Sequence, residues 1–222
     1  MTLEAGHSTR TAGYKMRILI TAGGTREYID PVRFISNASS GKMGYALARA
    51  ALKAGHKVTL ITAPTAQRDP AGAKVIRVET AGEMFEAVRK YFTRCDCLVM
   101  AAAVADYTPV RKAGAKIKKS DEKLLLKLKP TADILGWAAK HRRKQQLLVG
   151  FALESENLQV NAERKLAAKN LDMIVANSPS AIGADRSVAN MKVPGRPWIE
   201  FAPARKDVTA QRVIRQIQKI LG

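Results

Sequence analysis

"MRILITAGGTREYIDPVRFISNASSGKMGYALARAALKAGHKVTLITAP", residues 16–64, decides the fold class. Its opening, residues 16–23, is a nearly continuous apolar run that stops at glycine, as a parallel strand buried on both faces should. Residues 39–55 then set Met43, Ala46, Leu47, Ala50 and Ala54 on one face of an amphipathic helix that closes at Gly55. "HKVTLITAP", residues 56–64, is a second strand. Strand, loop, helix and strand in this order make a βαβ unit, which forces a parallel sheet with a right-handed crossover.

The alternation continues outward from this unit. Residues 73–79 read as a short strand, and Thr80 with Glu83 forms a capping-box pattern ahead of the helix "EMFEAVRKYF". "CLVMAAAVA" (97–105) is a buried strand whose small residues admit a close approach at its end. Helices are expected over 133–143 and 160–170, and strands over 147–152 and 172–177. An edge strand over 198–203 precedes a closing helix over 207–221, capped by Asp207. One segment breaks the rhythm: residues 115–130, "AKIKKSDEKLLLKLKP", carry two extended runs around a Ser-Asp-Glu turn and read as a β-hairpin. The expected architecture is an α/β, Rossmann-like, doubly wound and mostly parallel sheet with a protruding hairpin arm. Residues 16–222 are expected to be one domain, preceded by a disordered tail over 1–15.

The chain carries 38 basic against 19 acidic residues, a net charge of +19, and so needs anionic company. Nucleic acid is one candidate, but aromatic residues are too few to supply base-stacking platforms. A site for several phosphates is the other. No apolar stretch is long enough to span a membrane and the start lacks the apolar middle of a signal peptide, which points to the cytoplasm. Cys95 and Cys97 alternate into a strand, so one is expected in the core and one near the surface. With three histidines and no second cysteine pair, there is no zinc site to assemble.

In an open α/β sheet, ligands bind beyond the carboxyl ends of the strands. Two polar loops leave such ends here, residues 23–42 and 101–119, and the site is expected between them. A dinucleotide fingerprint is missing: Gly23 and Gly24 are adjacent, the next glycine is Gly41, and the second strand ends without a ribose-binding acid. A phosphate loop of the Walker type fails too, with Ser36 where its first glycine belongs and Met43 where a magnesium-binding hydroxyl belongs. What remains is a helix start that Asn37, Ser39 and Ser40 could cap, crowded by Arg33 and Lys42, suited to a phosphate or carboxylate.

The stretch 23–44 closely resembles the signature of bacterial phosphopantothenoylcysteine synthetases (phosphopantothenate–cysteine ligases). So do "AAAVADY" (101–107), "KIKK" (116–119), "DIL" (133–135), "GFALE" (150–154) and the lysines of 165–172. These enzymes join 4′-phosphopantothenate to L-cysteine through an acyl-nucleotide, with CTP in bacterial members and ATP in eukaryotic relatives. The resemblance implies magnesium on the triphosphate, a homodimer and no flavin, since the flavin-binding decarboxylase half would precede the first strand. That leaves room for a separate decarboxylase protein as partner. It further implies that Asn37 holds the pantothenate part and the acyl-nucleotide, with Ala102, Ala103 and Asp106 lining the same pocket. Arg33 would reach a phosphate in the neighbouring subunit. The nucleotide would meet Met100, Ala101, Ala102, Asp106, Ala132, Asp133, Ile134, Leu135, Phe151, Lys165 and Lys169. Lys116 would neutralise charge as pyrophosphate leaves. Residues 178–197 match the family pattern poorly, and no role is carried to them.

Overall fold

The computed structural model describes residues 14–121 and 123–221, so the tail expected over 1–15 falls almost wholly outside it. Along the chain come β1 (Arg17–Ala22), β2 (Arg26–Tyr28), β3 (Phe34–Ser36), α1 (Lys42–Lys53), β4 (Lys57–Thr62) and β5 (Lys74–Arg77). Next are α2 (Ala81–Phe92), β6 (Cys97–Met100), β7 (Tyr107–Pro109), β8 (Leu128–Pro130), α3 (Ile134–His141) and β9 (Leu147–Leu153). The chain closes with α4 (Leu158–Ala168), β10 (Met173–Asn177), β11 (Arg186–Ser187), β12 (Asn190–Lys192), β13 (Ala204–Arg205) and α5 (Lys206–Leu221).

Seven strands form one sheet in the order β12-β10-β9-β6-β1-β4-β5. All pair in parallel except β12, which runs antiparallel along β10. The reversal of strand order beside β1 is the switch point where a crevice opens. The strand period of two sorts the core: Ile18, Ile20 and Ala22 join Tyr45, Leu47 and Ile214 on the face covered by α1 and α5. Leu19 and Ile61 point the other way, to Met84, Phe92, Leu135 and Leu166 under α2, α3 and α4. Helices on both faces explain why β1 reads as an unbroken apolar run rather than an alternating one.

Two caps match the sequence logic. Thr80 Oγ1 accepts from the Glu83 N–H at 3.1 Å, and the Glu83 carboxylate accepts in return from Glu79 N–H at 2.7 Å. Asp133 Oδ1 accepts from Gly136 N–H at 2.9 Å and starts α3.

Several expectations are corrected. No strand forms in the described part of 115–127. The arm is instead closed at its base, where β7 pairs antiparallel with β8, while Leu124, Leu125 and Leu126 of its middle stay exposed with no partner strand or core to bury them. The sheet edge lies at β12 rather than over 198–203, where Ile199 makes only an isolated bridge to Met191. Asp207 sits inside the first turn of α5 and accepts from Arg205 Nε at 3.2 Å. The buried face of α1 is centred on Tyr45, Leu47, Ala48 and Ala51, which leaves Ala54 exposed. Cys95 and Cys97 are both buried, one in each core, because helices cover both sides of the sheet.

Candidate functional site

The sheet ends in a floor made largely of backbone. β6 stops at Met100, and residues 101–105 turn across the end of β1 rather than continuing the strand as its apolar run suggested. There the Ala103 N–H donates to Gly23 O at 2.8 Å, and Thr25 N–H donates back to Ala103 O at 3.3 Å. Thr21 Oγ1 accepts from Ala102 N–H at 3.1 Å, and Thr25 Oγ1 from Ala105 N–H at 2.9 Å. Asn37 reaches the same floor, donating from Nδ2 to Val104 O at 3.0 Å and Ala103 O at 3.4 Å. The two loops singled out in the sequence are thus laced together.

The helix start is built differently from the expectation. Neither Asn37, Ser39 nor Ser40 caps α1; Gly41 does, at φ 71°, with no side-chain cap at all. A left-handed residue is needed there to turn the loop into the helix, and glycine supplies it without strain. The first-turn N–H groups therefore keep their partial positive charge at the cleft wall. Gly44 lets this helix start rest on β1, since a Cβ at that position would lie 2.5 Å from Ala22 Cβ.

Above the floor lie two connected clefts. The first, about 490 Å³, is walled by residues 37–44, by Ala101, Ala102 and Ala103, by the end of β9, and by Asn177, Ile182 and Lys206. The second, about 390 Å³, is walled by Met100, Ala132, Asp133, Ile134, Leu135 and Lys169. Ala102, Val104, Asp106, Phe151 and Lys165 belong to both. The Lys165 ammonium donates to Phe151 O at 2.8 Å; burial lowers its pKa, and Glu154 and Asp106 oppose that shift. Asp133 pairs with Lys169; burial alone would raise its carboxyl, yet this bond and the Gly136 N–H hold it below the usual range.

Of the sequence-derived residues, Asn37, Ala101, Ala102, Ala103 and Asp106 line the first cleft. Met100, Ala132, Asp133, Ile134, Leu135, Phe151, Lys165 and Lys169 line the second. Lys116 and Arg33 line neither. Arg33 meets its own loop: it donates from Nε and Nη2 to Asp30 at 2.9 and 2.5 Å, and from Nη2 to Ile117 O at 2.7 Å. Arg26 stacks on Phe34 at 4.6 Å, and Lys42 pairs with Asp185 at 2.7 Å.

The sequence reading missed the contribution of residues 177–187. Lys42 donates to Gly183 O at 3.3 Å, and Lys206 to Ala181 O at 3.1 Å and Ser187 Oγ at 2.7 Å. These bonds hold the segment over the start of α1. Asn177 is 8% exposed, and its Oδ1 is buried without a partner. The signal was available: Asn177 ends a parallel strand, where ligands bind.

A doubly wound sheet with two lysine-bearing clefts beyond its strand ends defines the class, a Rossmann-like α/β domain. Residues 14–221 match the DNA/pantothenate metabolism flavoprotein C-terminal domain, and the chain belongs to that family. It is 49% identical over 168 residues to the coenzyme A biosynthesis bifunctional protein CoaBC of Bacillus subtilis (strain 168), covering 75% of this chain and 41% of that one. It is 50% identical over 169 residues to a cysteine/cysteine sulfinic acid decarboxylase of an unknown prokaryotic organism, covering 76% of this chain and 47% of that one. The chain thus spans less than half the length of both relatives. The crystal structure of the C-terminal domain of a CoaBC protein superposes with a TM-score of 0.81 at 38% identity, over 93% of this chain and 95% of that one.

Proposed function

We propose that this domain is a phosphopantothenate–cysteine ligase acting in coenzyme A biosynthesis, with CTP as the activating nucleotide. The observation that carries the reading is the pair of clefts meeting at Asp106, Phe151 and Lys165 in a chain that matches a CoaBC C-terminal domain over nearly its full length. In the first step a carboxylate oxygen of phosphopantothenate attacks the α-phosphorus of CTP; a P–O bond breaks and pyrophosphate leaves. In the second the cysteine amine attacks the acyl carbon, the C–O bond to phosphate breaks, and CMP leaves while the amine sheds a proton. Neither step needs a protein nucleophile, so positioning and charge neutralisation carry the rate.

The roles divide by location. The second cleft suits the nucleoside, between Phe151 and the start of α3. The first suits the acyl end, on the floor beside Asn37, Ala102 and Ala103, where small side chains expose backbone groups. Lys165 and Lys169 face the anionic parts, and Lys116 on the arm meets the pyrophosphate as it departs. Among the described residues no three His, Cys, Asp or Glu side chains gather to hold a metal. A magnesium ion would be carried mainly by phosphate oxygens, with Asp106, Glu154 and Asn177 Oδ1 as the cleft's own hard donors. Its chemistry there is to offset triphosphate charge.

A cytoplasmic homodimer is part of the same proposal. Among the described residues no helix is long and apolar enough to cross a membrane. Val32, Phe34, Tyr107, Val110 and Leu125 stay exposed around the arm, an apolar set that a second copy would cover. The deciding experiment measures pyrophosphate release with each nucleoside triphosphate, with and without phosphopantothenate, then CMP on adding cysteine. Release with CTP that requires phosphopantothenate, followed by cysteine-dependent CMP, is expected. No release with any triphosphate would refute the reading.

A further inference from the structure

We infer that Asp30 is a positioning residue for Lys116, acting through Arg33 and Ile117; the inference rests on the ligase reading. Asp30 is fully buried in the turn between β2 and β3, yet its carboxylate accepts from five N–H donors. Oδ1 takes the N–H groups of Val32 and Arg33, each at 2.8 Å. Oδ2 takes Arg33 Nε at 2.9 Å, Arg33 Nη2 at 2.5 Å and the Ile117 N–H at 3.2 Å. Arg33 Nη2 also donates to Ile117 O at 2.7 Å. The carboxylate and guanidinium therefore grip one residue of the arm by both its N–H and its C=O.

That grip is isolated. Among the described residues between 115 and 126, only Ile117 is hydrogen-bonded to the body of the domain. The arm is otherwise tied at its two roots, by Ala113 N–H to Ile29 O at 2.9 Å and Val110 N–H to Lys127 O at 2.9 Å. A long, lysine-rich loop with one mid-span anchor has a defined position only next to that anchor, and Lys116 is its immediate neighbour. The five donors also explain why the group must be a carboxylate: an amide offers one acceptor oxygen and would leave buried N–H groups unsatisfied. Arg33 has further capacity, because its Nη1 makes no hydrogen bond within the described residues. An anion could bind at Nη1 while Nε and Nη2 keep hold of the arm.

The test uses two variants, Asp30→Asn and Ile117→Pro, the second deleting the arm's own N–H while sparing the buried loop. Hydrogen exchange of peptides covering 116–118 reads the anchor without reference to activity. Pyrophosphate release reads the consequence, in the wild type and in a Lys116→Gln background. In Asp30→Asn exchange at 116–118 should quicken while peptides of β1 and α1 stay protected; in Ile117→Pro, which has no N–H at 117 to exchange, tryptic cleavage after Lys118 should quicken instead. Both variants should lower the maximal rate of pyrophosphate release by about tenfold to a hundredfold, as a displacement of about 1 Å can. The KM for CTP should hold, and neither variant should cost anything more once Lys116 is gone. Unchanged exchange at 116–118 in Asp30→Asn, or unchanged cleavage after Lys118 in Ile117→Pro, overturns the anchor. A loss that multiplies in the Lys116→Gln background overturns the link to Lys116, since a general structural defect would add to any other. Should Asp30→Asn fail to fold, Ile117→Pro decides by the same criteria. A wild-type chain that releases no pyrophosphate refutes the ligase reading, and with it the assignment to Lys116, while the exchange result still stands or falls alone.

Discussion

Replacing Gly44 by alanine tests whether the start of α1 is set by its contact with β1. In a helix this change alone favours folding by about 0.5–1 kcal/mol, because alanine loses less backbone freedom. Here the added Cβ would lie 2.5 Å from Ala22 Cβ and 2.9 Å from Thr21 O, both parts of the central strand. Neither neighbour can rotate away, so α1 must lift by roughly 1 Å, the difference between that gap and an ordinary carbon contact of about 3.5 Å. Overpacking of this kind costs about 1–3 kcal/mol. The net expectation is a loss of about 1–2 kcal/mol, a fall in melting temperature of about 2–8 °C for a chain of this size. The lift also withdraws the first-turn N–H groups from the first cleft, so affinity for phosphopantothenate, whose acyl end the proposal places there, should fall about tenfold. Thermal unfolding and calorimetric titration with phosphopantothenate measure the two effects. A variant that gains stability and binds phosphopantothenate as before would refute the reasoning.

Lys116→Gln should lower pyrophosphate release by about 10²–10³ while leaving the melting temperature unchanged, as expected for one preorganised cation at the departing group. Asn37→Asp should still form the acyl-cytidylate but pass it slowly to cysteine; pyrophosphate and CMP measured separately would show equal losses if that division is wrong. Residues 115–130 should be cut by trypsin more slowly with CTP present, since phosphates relieve the repulsion among the arm's lysines, and identical digestion would count against it. In solution scattering the chain should be a dimer that Leu125→Asp weakens; a fully active monomer overturns the dimer. The Asp96 carboxyl would rise on burial, but Arg17, at 2.7 Å from Nη2 and 2.8 Å from N–H, holds it below its ordinary value. Its contribution is therefore complete above the unfolded value of about 3.9 and lost as pH falls further. Urea midpoints below about pH 4 should drop less in Asp96→Asn than in the wild type.

The sheet was legible because each parallel strand is buried on both faces and announces itself as a short apolar run. The clefts were legible because a topological rule places them at strand ends, and the residues gathered in the second cleft follow from motifs at fixed spacing. What escaped the sequence was governed by partners distant in the chain. Local propensity pointed to a hairpin within 115–130, whereas only residues 128–130 pair, with the distant β7, and the described part of 115–127 is a loop. Nothing in the residues around Arg33 says that Ile117, 84 positions away, shares its Nη2 with Asp30. Asn37 and the two serines looked like caps because their residue types suit that task, whereas Asn37 is spent on Val104 and Ala103 across the floor. Residues 178–187 have no periodicity to read, and their partners, Lys42, Lys206 and strand β13, are set apart from them in the chain.

The laced floor has a consequence for how such a domain can be altered. The peptide groups of residues 102–105 are tied to Thr21, Gly23, Thr25 and Asn37, so on the proposed ligase reading mutation there can obstruct the acyl chemistry but hardly retune it. On the same reading the nucleobase end is different, since Asp133, Lys169 and Phe151 meet the second cleft through replaceable parts. A change of nucleotide preference should therefore be sought at the start of α3, where it can be selected without disturbing amide formation.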